Sequence, residues 1–176
     1  IELDPASSVL HYGQEIFEGL KAYRHPNGDI VVFRPEANAR RLNESARRLA
    51  LPELPEELFV RAVEELVRVD ADWVPSGEDQ SLYLRPFMIA YENFLGVRSA
   101  ERARFLVIAG PAGSYFTGGV KPVSIWLSEG LSRAGHGGTG AAKCGGNYAA
   151  SLLPTRIAQE HGCAQVLFTD SNTDDT

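Results

Sequence analysis

The stretch Gly137-Gly-Thr-Gly-Ala-Ala-Lys143-Cys-Gly-Gly-Asn147-Tyr148 places one lysine between two glycine-rich turns. Glycine allows a backbone to approach a bulky partner closely and to adopt conformations that other residues avoid. The glycines also remove side chains from around the ammonium group of Lys143. Asn147 is of a type that caps helices, and the residues after it predict a helix from about Asn147 to His161. The stretch therefore presents an amine beside backbone amides at the start of a helix.

This arrangement suits a partner that carries both a carbonyl group and an anionic group. An amine forms a Schiff base with the carbonyl, and backbone amides at a helix start bind a phosphate. Pyridoxal phosphate (PLP) has both groups. The alternative interpretation is that Lys143 is an ordinary solvated loop residue. The stretch is not a phosphate-binding Walker loop, because the order G-x-x-x-x-G-K-[ST] is absent.

The segment Lys143-Cys-Gly-Gly-Asn-Tyr148, preceded by Gly-Gly-Thr-Gly, resembles the active-site segment of the branched-chain aminotransferases, which are PLP enzymes of fold type IV. Several other segments resemble the same family, in the same order along the chain: His11-Tyr-Gly, Ile16-Phe-Glu-Gly-Leu-Lys-Ala-Tyr23, Val32-Phe-Arg-Pro35, Ser81-Leu-Tyr-Leu-Arg-Pro86, Phe94-Leu-Gly-Val97 and Gly162-Cys-Ala-Gln-Val-Leu. Many separate matches in one order are more specific than any single match. The resemblance covers nearly the whole chain and stops at Asp170.

The resemblance implies a cofactor site made of three residues. Lys143 corresponds to the lysine that holds PLP as a Schiff base and then moves a proton on the substrate. Tyr148 corresponds to the residue that hydrogen-bonds the phenolic oxygen of the cofactor. Arg41 corresponds to the arginine that binds the phosphate, a task for which a guanidinium fork is well shaped. From the residues alone, Arg41 is equally an exposed arginine on the polar face of a helix.

The resemblance also implies a substrate pocket and a homodimer. The residues that match its apolar wall are Tyr12, Phe17 and Tyr83, and the family's counterpart of Tyr12 comes from the neighbouring subunit. Arg85 matches a residue near the substrate carboxylate. Val97 lies in a loop whose counterpart reaches across the dimer to the other active site. We therefore expect branched-chain amino acids and 2-oxoglutarate as substrates.

The strand predicted from Ser81 to Tyr91 supports part of this assignment directly. Side chains two residues apart in a strand point to the same side, so Tyr83 and Arg85 share a face. An arginine inside an otherwise apolar strand is costly unless it is paired. The alternative to a ligand-binding role is therefore a buried structural ion pair.

The remaining patterns predict an α+β fold, with a mostly antiparallel sheet and two packed helices. The signal Pro26-Asn-Gly-Asp29 predicts a hairpin between strands at Phe17–Arg24 and Ile30–Arg34. The two helices are predicted from Pro35 to about Leu49 and from Pro55 to Val69. We expect the fold type IV N-terminal domain over residues 1–127, an interdomain linker over 128–135, and the incomplete start of a PLP-binding domain over 136–176.

Composition limits the partners and the compartment. The 176 residues include 44% hydrophobic and 23% charged residues, as in an ordinary globular protein. A net charge of −6, without a long basic run, argues against nucleic acid or an anionic membrane as the main partner. Two cysteines, Cys144 and Cys163, form no disulfide pattern and favour a reducing cytoplasm. The four histidines show no metal-ligand spacing, so no metal site is predicted.

The function expected from this resemblance is transamination of leucine, isoleucine or valine with 2-oxoglutarate, by way of a PLP Schiff base. Two related activities remain open, those of D-amino-acid aminotransferases and aminodeoxychorismate lyases. A third alternative is a non-catalytic fragment. In the family, the carboxylate that pairs with the pyridine nitrogen lies downstream of the segments matched here. We therefore expect that the 176 residues alone are a poor catalyst.

Overall fold

A computed structural model describes residues 1–113 and 121–170. The chain forms two compact units, Ile1–Tyr115 and Phe116–Thr176. Part of the predicted start of the PLP-binding domain, residues 171–176, lies outside the described residues. No helix within the described ranges combines the length and the apolar character needed to cross a lipid bilayer.

The first unit, over its described residues 1–113, contains a five-stranded sheet and three α-helices. Its helices are α1 (Ser8–Tyr12), α2 (Pro35–Arg48) and α3 (Glu56–Val69). Its strands are β1 (Glu15–Phe17), β2 (Leu20–Arg24), β3 (Ile30–Val32), β4 (Ser81–Ala90) and β5 (Ala103–Ala112). A 3-10 turn at Ala71–Trp73 follows α3. This arrangement confirms the predicted α+β class.

The sheet is built around β4, and all its pairings are antiparallel. Along one edge β4 pairs with β5 from Ser81↔Ala112 to Ala90↔Ala103. Along its other edge it pairs with both β1 and β2, and β2 forms the predicted hairpin with β3. The turn of that hairpin contains Gly28, whose φ of +93° is one that favours glycine.

The single strand predicted from Phe17 to Arg24 is wrong, because the chain is interrupted at Glu18 and Gly19. The two flanking strands keep one register on β4, with Phe17 opposite Phe87 and Leu20 opposite Leu84. The backbone N–H of Glu18 donates to the carbonyl of Pro86 at 2.7 Å. Proline has no N–H to return the second bond of an antiparallel pair, so the ladder breaks there.

The core of this unit lies between the sheet and helices α2 and α3. Alternate residues of β4 are buried, among them Leu82, Leu84 and Met88. Helix α2 contributes Leu42, and α3 contributes Phe59, whose ring centroid lies 5.8 Å from that of Phe105 on β5. Of the neighbouring apolar residues on α3, Phe59 is buried and Leu58 is exposed.

The described part of the second unit contains helix α4 (Gly145–Glu160) and two parallel strands, β6 (Ile125–Ser128) and β7 (Gln165–Phe168). Helix α4 connects the strands and packs against both. Most of β6 lies within the predicted N-terminal domain, residues 1–127, whereas β6 pairs with β7 in the second unit. The domain ranges 1–127, 128–135 and 136–176 stay a prediction. They place most of β6 in the first domain, whereas the structure places it in the second unit.

Candidate active site

Asn147 holds the glycine-rich loop that carries Lys143. Its side-chain amide donates to the carbonyls of Thr139 and Ala142, each at 2.7 Å, and its oxygen accepts the Thr139 hydroxyl at 2.8 Å. Asn147 is buried and lies inside α4, which begins at Gly145 after the N-cap residue Cys144. The prediction that Asn147 caps the helix is therefore wrong. Its side chain satisfies loop carbonyls instead of helix N–H groups.

Two positions of the same loop require glycine, one for a steric reason and one for a conformational reason. A Cβ atom at Gly140 would lie 2.7 Å from the Cβ of Ala134, which is closer than two carbon atoms approach. Gly137 has a φ of +70°, in the left-handed region that other residues rarely adopt. The loop therefore depends on these glycines for its path towards Lys143.

The amine of Lys143 lies beside the phenol of Tyr148. Lys143 Nζ donates to Tyr148 Oη at 2.8 Å, and Nζ lies 5.3 Å from the centroid of the tyrosine ring. Lys143 is half-buried, and Tyr148, in the first turn of α4, is exposed. The pair places an amine at hydrogen-bond distance from a phenolic hydroxyl, and such an amine can form a Schiff base with a carbonyl compound.

In the first unit, Arg41 binds a buried carboxylate that the sequence analysis did not select. Arg41 Nε and Nη2 donate to the two oxygens of Glu18, both at 2.7 Å. The Glu18 side chain is 0% exposed, whereas that of Arg41 is 52% exposed. Asn38 Nδ2, one turn before Arg41 on α2, also donates to Glu18 at 2.8 Å. Glu18 lies within the matched segment Ile16–Tyr23, but local spacing did not indicate its contacts, because its partners lie 20 and 23 residues further along the chain.

Tyr83 and Arg85 lie on one face of β4 and bind each other, as their spacing predicted. Arg85 Nε and Nη2 donate to Tyr83 Oη at 3.2 and 2.9 Å. The guanidinium carbon also lies 4.7 Å from the centroid of the Phe17 ring. No carboxylate among the described residues forms an ion pair with Arg85. The buried ion pair considered from the sequence is therefore absent from the described part of the chain.

The Tyr83 side chain packs against Gly19, at the break between β1 and β2. A Cβ atom at Gly19 would lie 2.5 Å from Tyr83 Oη and 3.3 Å from its Cζ. A side chain at position 19 would therefore displace the hydroxyl that Arg85 binds. Phe17, Tyr83 and Arg85 consequently form one cluster on the sheet.

Tyr12 and Val97 take no part in the hydrogen bonds between Tyr83 and Arg85. The Tyr12 hydroxyl donates to the backbone carbonyl of Leu95, and its ring stacks on Phe94 with centroids 6.4 Å apart. This contact connects Tyr12 to the loop that carries Val97. Val97 itself is 90% exposed. Tyr12 and Val97 stay predicted substrate residues.

The described residues contain no group of three or more His, Cys, Asp or Glu side chains placed to hold a metal ion. The predicted site residues fall into two sets. Tyr12, Phe17, Arg41, Tyr83, Arg85 and Val97 lie in the first unit, and Lys143 and Tyr148 lie in the second. In the first set Arg85 binds Tyr83, and in the second Lys143 binds Tyr148.

Comparisons of sequence and of structure both show similarity between this chain and aminotransferases. It is 63% identical over 172 residues to a branched-chain-amino-acid aminotransferase of Mycolicibacterium smegmatis and 59% identical to one of Mycobacterium tuberculosis. Both alignments cover 97% of this chain and 47% of the relative. The chain is related to the branched-chain aminotransferases. It spans about half the length of the curated relatives it matches. No protein-family model matches it.

The fold agrees with this relationship. The branched-chain amino acid aminotransferase of Escherichia coli superposes with a TM-score of 0.82 at 26% identity. A second enzyme of the same name, solved with pyridoxamine 5′-phosphate, superposes with a TM-score of 0.80 at 30% identity. Each alignment covers 97% of this chain and 55% of the solved chain. The fold is thus the fold type IV arrangement that the resemblance implied.

Proposed function

We propose that this chain contributes the cofactor lysine and part of the substrate pocket to a PLP-dependent branched-chain aminotransferase. The observation that carries the proposal is the Lys143–Tyr148 pair, at 2.8 Å, on a loop fixed by buried Asn147. The reaction is amino transfer from leucine, isoleucine or valine to 2-oxoglutarate. The relatives and the solved structure with pyridoxamine 5′-phosphate support the choice of cofactor and reaction.

The donor set of the lysine loop fits such a cofactor. PLP, when bound, supplies an aldehyde that condenses with an amine and a ring that withdraws electrons from the substrate carbon. Lys143 provides the amine and then carries the proton from the substrate carbon as a general base and acid. Tyr148 Oη accepts a hydrogen bond from Lys143 and orients the amine.

The first unit supplies the other roles in this proposal. Arg41 binds the phosphate group, and its Nε and Nη2 also donate to Glu18. Phe17, Tyr12 and Tyr83 provide an apolar wall for a branched side chain. Arg85, which makes no ion pair among the described residues, is suited to a substrate carboxylate. Val97 completes the site of a second copy in a homodimer.

We further propose a reducing compartment, the cytoplasm, for this enzyme. Both cysteines are free thiols, with Cys144 buried directly beside Lys143. Oxidation at that position would disturb the N-cap of α4 and the adjacent lysine loop. A compartment that keeps thiols reduced avoids this damage.

Borohydride reduction with PLP, followed by peptide mapping, tests the lysine assignment. We expect the reduced cofactor on Lys143 and none on Lys21, which serves as the internal control. Leucine-dependent formation of glutamate from 2-oxoglutarate by the purified protein tests the reaction itself. A label on Lys21, or no label on any lysine, would reject the proposed function.

A further inference from the structure

Glu18 is a fully buried carboxylate with four hydrogen-bond donors around it. Arg41 supplies two through Nε and Nη2, both at 2.7 Å. Asn38 Nδ2 and the backbone N–H of Gly19 supply the others, at 2.8 and 3.2 Å. A buried carboxylate is tolerated when its oxygens are satisfied in this way. Its position is fixed further by the backbone bond from Glu18 to Pro86.

This carboxylate is unexpected beside Arg41, to which the proposed function assigns a phosphate. A negative charge near a phosphate site opposes binding of the phosphate, so its presence requires a compensating benefit. Two benefits are physically distinct. Glu18 either offsets part of the positive charge of Arg41, or it holds the guanidinium in one orientation for a second anion.

We propose that Glu18 is a positioning residue that fixes the guanidinium plane of Arg41 for the phosphate ester of the cofactor. The inference rests on the proposed function. Arg41 is half-exposed on α2, and a long side chain in that setting has many rotamers to lose on binding. A two-point contact to an immobile carboxylate removes that freedom before the ligand arrives. Binding then no longer includes the cost of ordering the arginine.

The neighbouring arginines of α2 show how unusual this contact is. Arg47 pairs with Glu53 at 2.5 Å, but both side chains are at least half exposed. Arg40 lies 3.7 Å from Glu56, and that pair is also exposed. Surface pairs of this kind order an arginine weakly. Among these three arginines, Arg41 alone has a carboxylate partner that is completely buried.

The test compares PLP with pyridoxal, which has the same aldehyde but no phosphate. Dissociation constants of both compounds are measured by absorbance for the purified protein and for Glu18→Gln. The wild-type protein is expected to prefer PLP. Glutamine keeps the side-chain length but removes the charge and the two-point acceptor. We expect the preference for PLP to fall about tenfold or more, although a negative charge has been removed.

A rise in the preference for PLP over pyridoxal in Glu18→Gln overturns the inference. If Glu18 serves only to neutralise Arg41, Glu18→Gln strengthens PLP binding relative to pyridoxal. If Glu18 is only structural, both compounds lose affinity equally and their ratio is unchanged. Either result rejects a positioning role. Glu53→Gln, which removes an exposed partner from Arg47, is the matched control and should leave the ratio as in the wild type.

Arg41→Ala separates this inference from the proposed function. Loss of the PLP preference in Arg41→Ala, together with its retention in Glu18→Gln, rejects only the role of Glu18. A wild-type protein without that preference, or one whose preference survives Arg41→Ala, rejects the phosphate assignment and the inference with it. If circular dichroism shows that Glu18→Gln is not folded, Glu18→Asp is used in its place. Its shorter side chain keeps the charge but not both contacts, and the same loss of preference is expected.

Discussion

Asn147 is the residue on which the position of Lys143 depends most directly. Asn147→Ala would leave the carbonyls of Thr139 and Ala142 without their side-chain donor. Each lost bond leaves a polar group unsatisfied, so we expect a loss of about 1–3 kcal/mol in the stability of the loop. Faster amide hydrogen exchange in residues 137–144 and weaker capture of PLP by Lys143 would report it.

Asn147→Asp provides the sharper comparison at the same position. Aspartate has the shape of asparagine and can still accept the Thr139 hydroxyl. Its carboxylate, however, would face two carbonyl oxygens where the amide now donates. We therefore expect Asp to be at least as harmful as Ala. Exchange rates equal to those of the wild type would show that the loop does not depend on these bonds.

Gly19 allows Tyr83 to reach Arg85, and this contact can be tested separately. A methyl group at position 19 would displace the Tyr83 hydroxyl, because its Cβ would lie only 2.5 Å away. We expect Gly19→Ala to lower the free energy of unfolding by about 1–3 kcal/mol through overpacking and the lost Arg85 bonds. Chemical denaturation measures this change.

Gly110 is a matched control for that substitution. It lies opposite Tyr83 in the β4–β5 ladder, and a Cβ there meets no atom within 4 Å. Gly110→Ala is therefore expected to be neutral or slightly stabilising. Equal effects from the two glycines would contradict a steric role for Gly19.

Single residues were predictable from the sequence where the decisive contact is local. The shared face of Tyr83 and Arg85 follows from a spacing of two, and the structure confirms it. The contacts of Glu18 depend on a helix that begins 17 residues later, at Pro35, so no local pattern reveals them. The helix-cap role expected for Asn147 was wrong, because the helix begins two residues earlier, at Gly145, and the Asn147 side chain bonds Thr139 and Ala142 instead.

At the scale of elements, Asn43 connects α2 to the segment that leads into α3. Its Oδ1 accepts the N–H of Leu54 at 2.9 Å, and its Nδ2 donates to the Leu54 carbonyl at 2.8 Å. Asn43→Ala would leave both backbone groups without this partner. We expect a loss of about 1–3 kcal/mol in the free energy of unfolding.

Glu44 gives the control for this helix. It is the next residue on α2 and is exposed, so Glu44→Ala should change stability by less than about 0.5 kcal/mol. Both variants are measured by urea denaturation. A similar small change for Asn43→Ala would show that α2 and the entry to α3 are held by apolar packing alone.

Elements were predictable wherever a period of 3.6 or 2 residues extends over several turns or pairs. Helices α2 and α3 begin and end within about one residue of the predicted bounds, because proline starts and apolar stripes define them. The interruption between β1 and β2 was not predictable. Its cause, Pro86, lies on another strand and is separated from Glu18 by most of the unit.

At the scale of the whole molecule, the order of the segments carried more information than composition. Composition excluded broad classes of partner, whereas the matched segments indicated the family and the fold. The grouping of β6 with β7 was missed because a parallel pair depends on a connection that contains a complete helix. No pattern within Ile125–Ser128 indicates which unit the strand joins.

The stability of the chain is expected to depend on pH through Glu92, which follows β4. Its carboxylate accepts bonds from Arg98 Nη2 at 2.8 Å and from the backbone N–H groups of Glu101 and Arg102. The bond from Arg98, followed by the backbone N–H of Arg102, holds the pKa of Glu92 below its ordinary value of 4.5. These contacts close the loop between β4 and β5.

A lowered pKa in the folded state fixes the sign of this dependence. The stabilisation from Glu92 is fully present above its unfolded pKa, near 4.5, and is lost as the pH falls through the lower folded value. Arg98→Ala should therefore be less stable than the wild type at pH 7, and the difference should narrow below about pH 4.5. Arg104→Ala, which removes a cation over the Tyr91 ring 3.7 Å away, is the control. Its difference from the wild type should stay constant over the same range. Thermal unfolding of the three proteins between pH 3 and 7 measures both differences in stability. If the difference between Arg98→Ala and the wild type does not narrow in acid, Arg98 acts through its stacking on Phe94 instead of through Glu92.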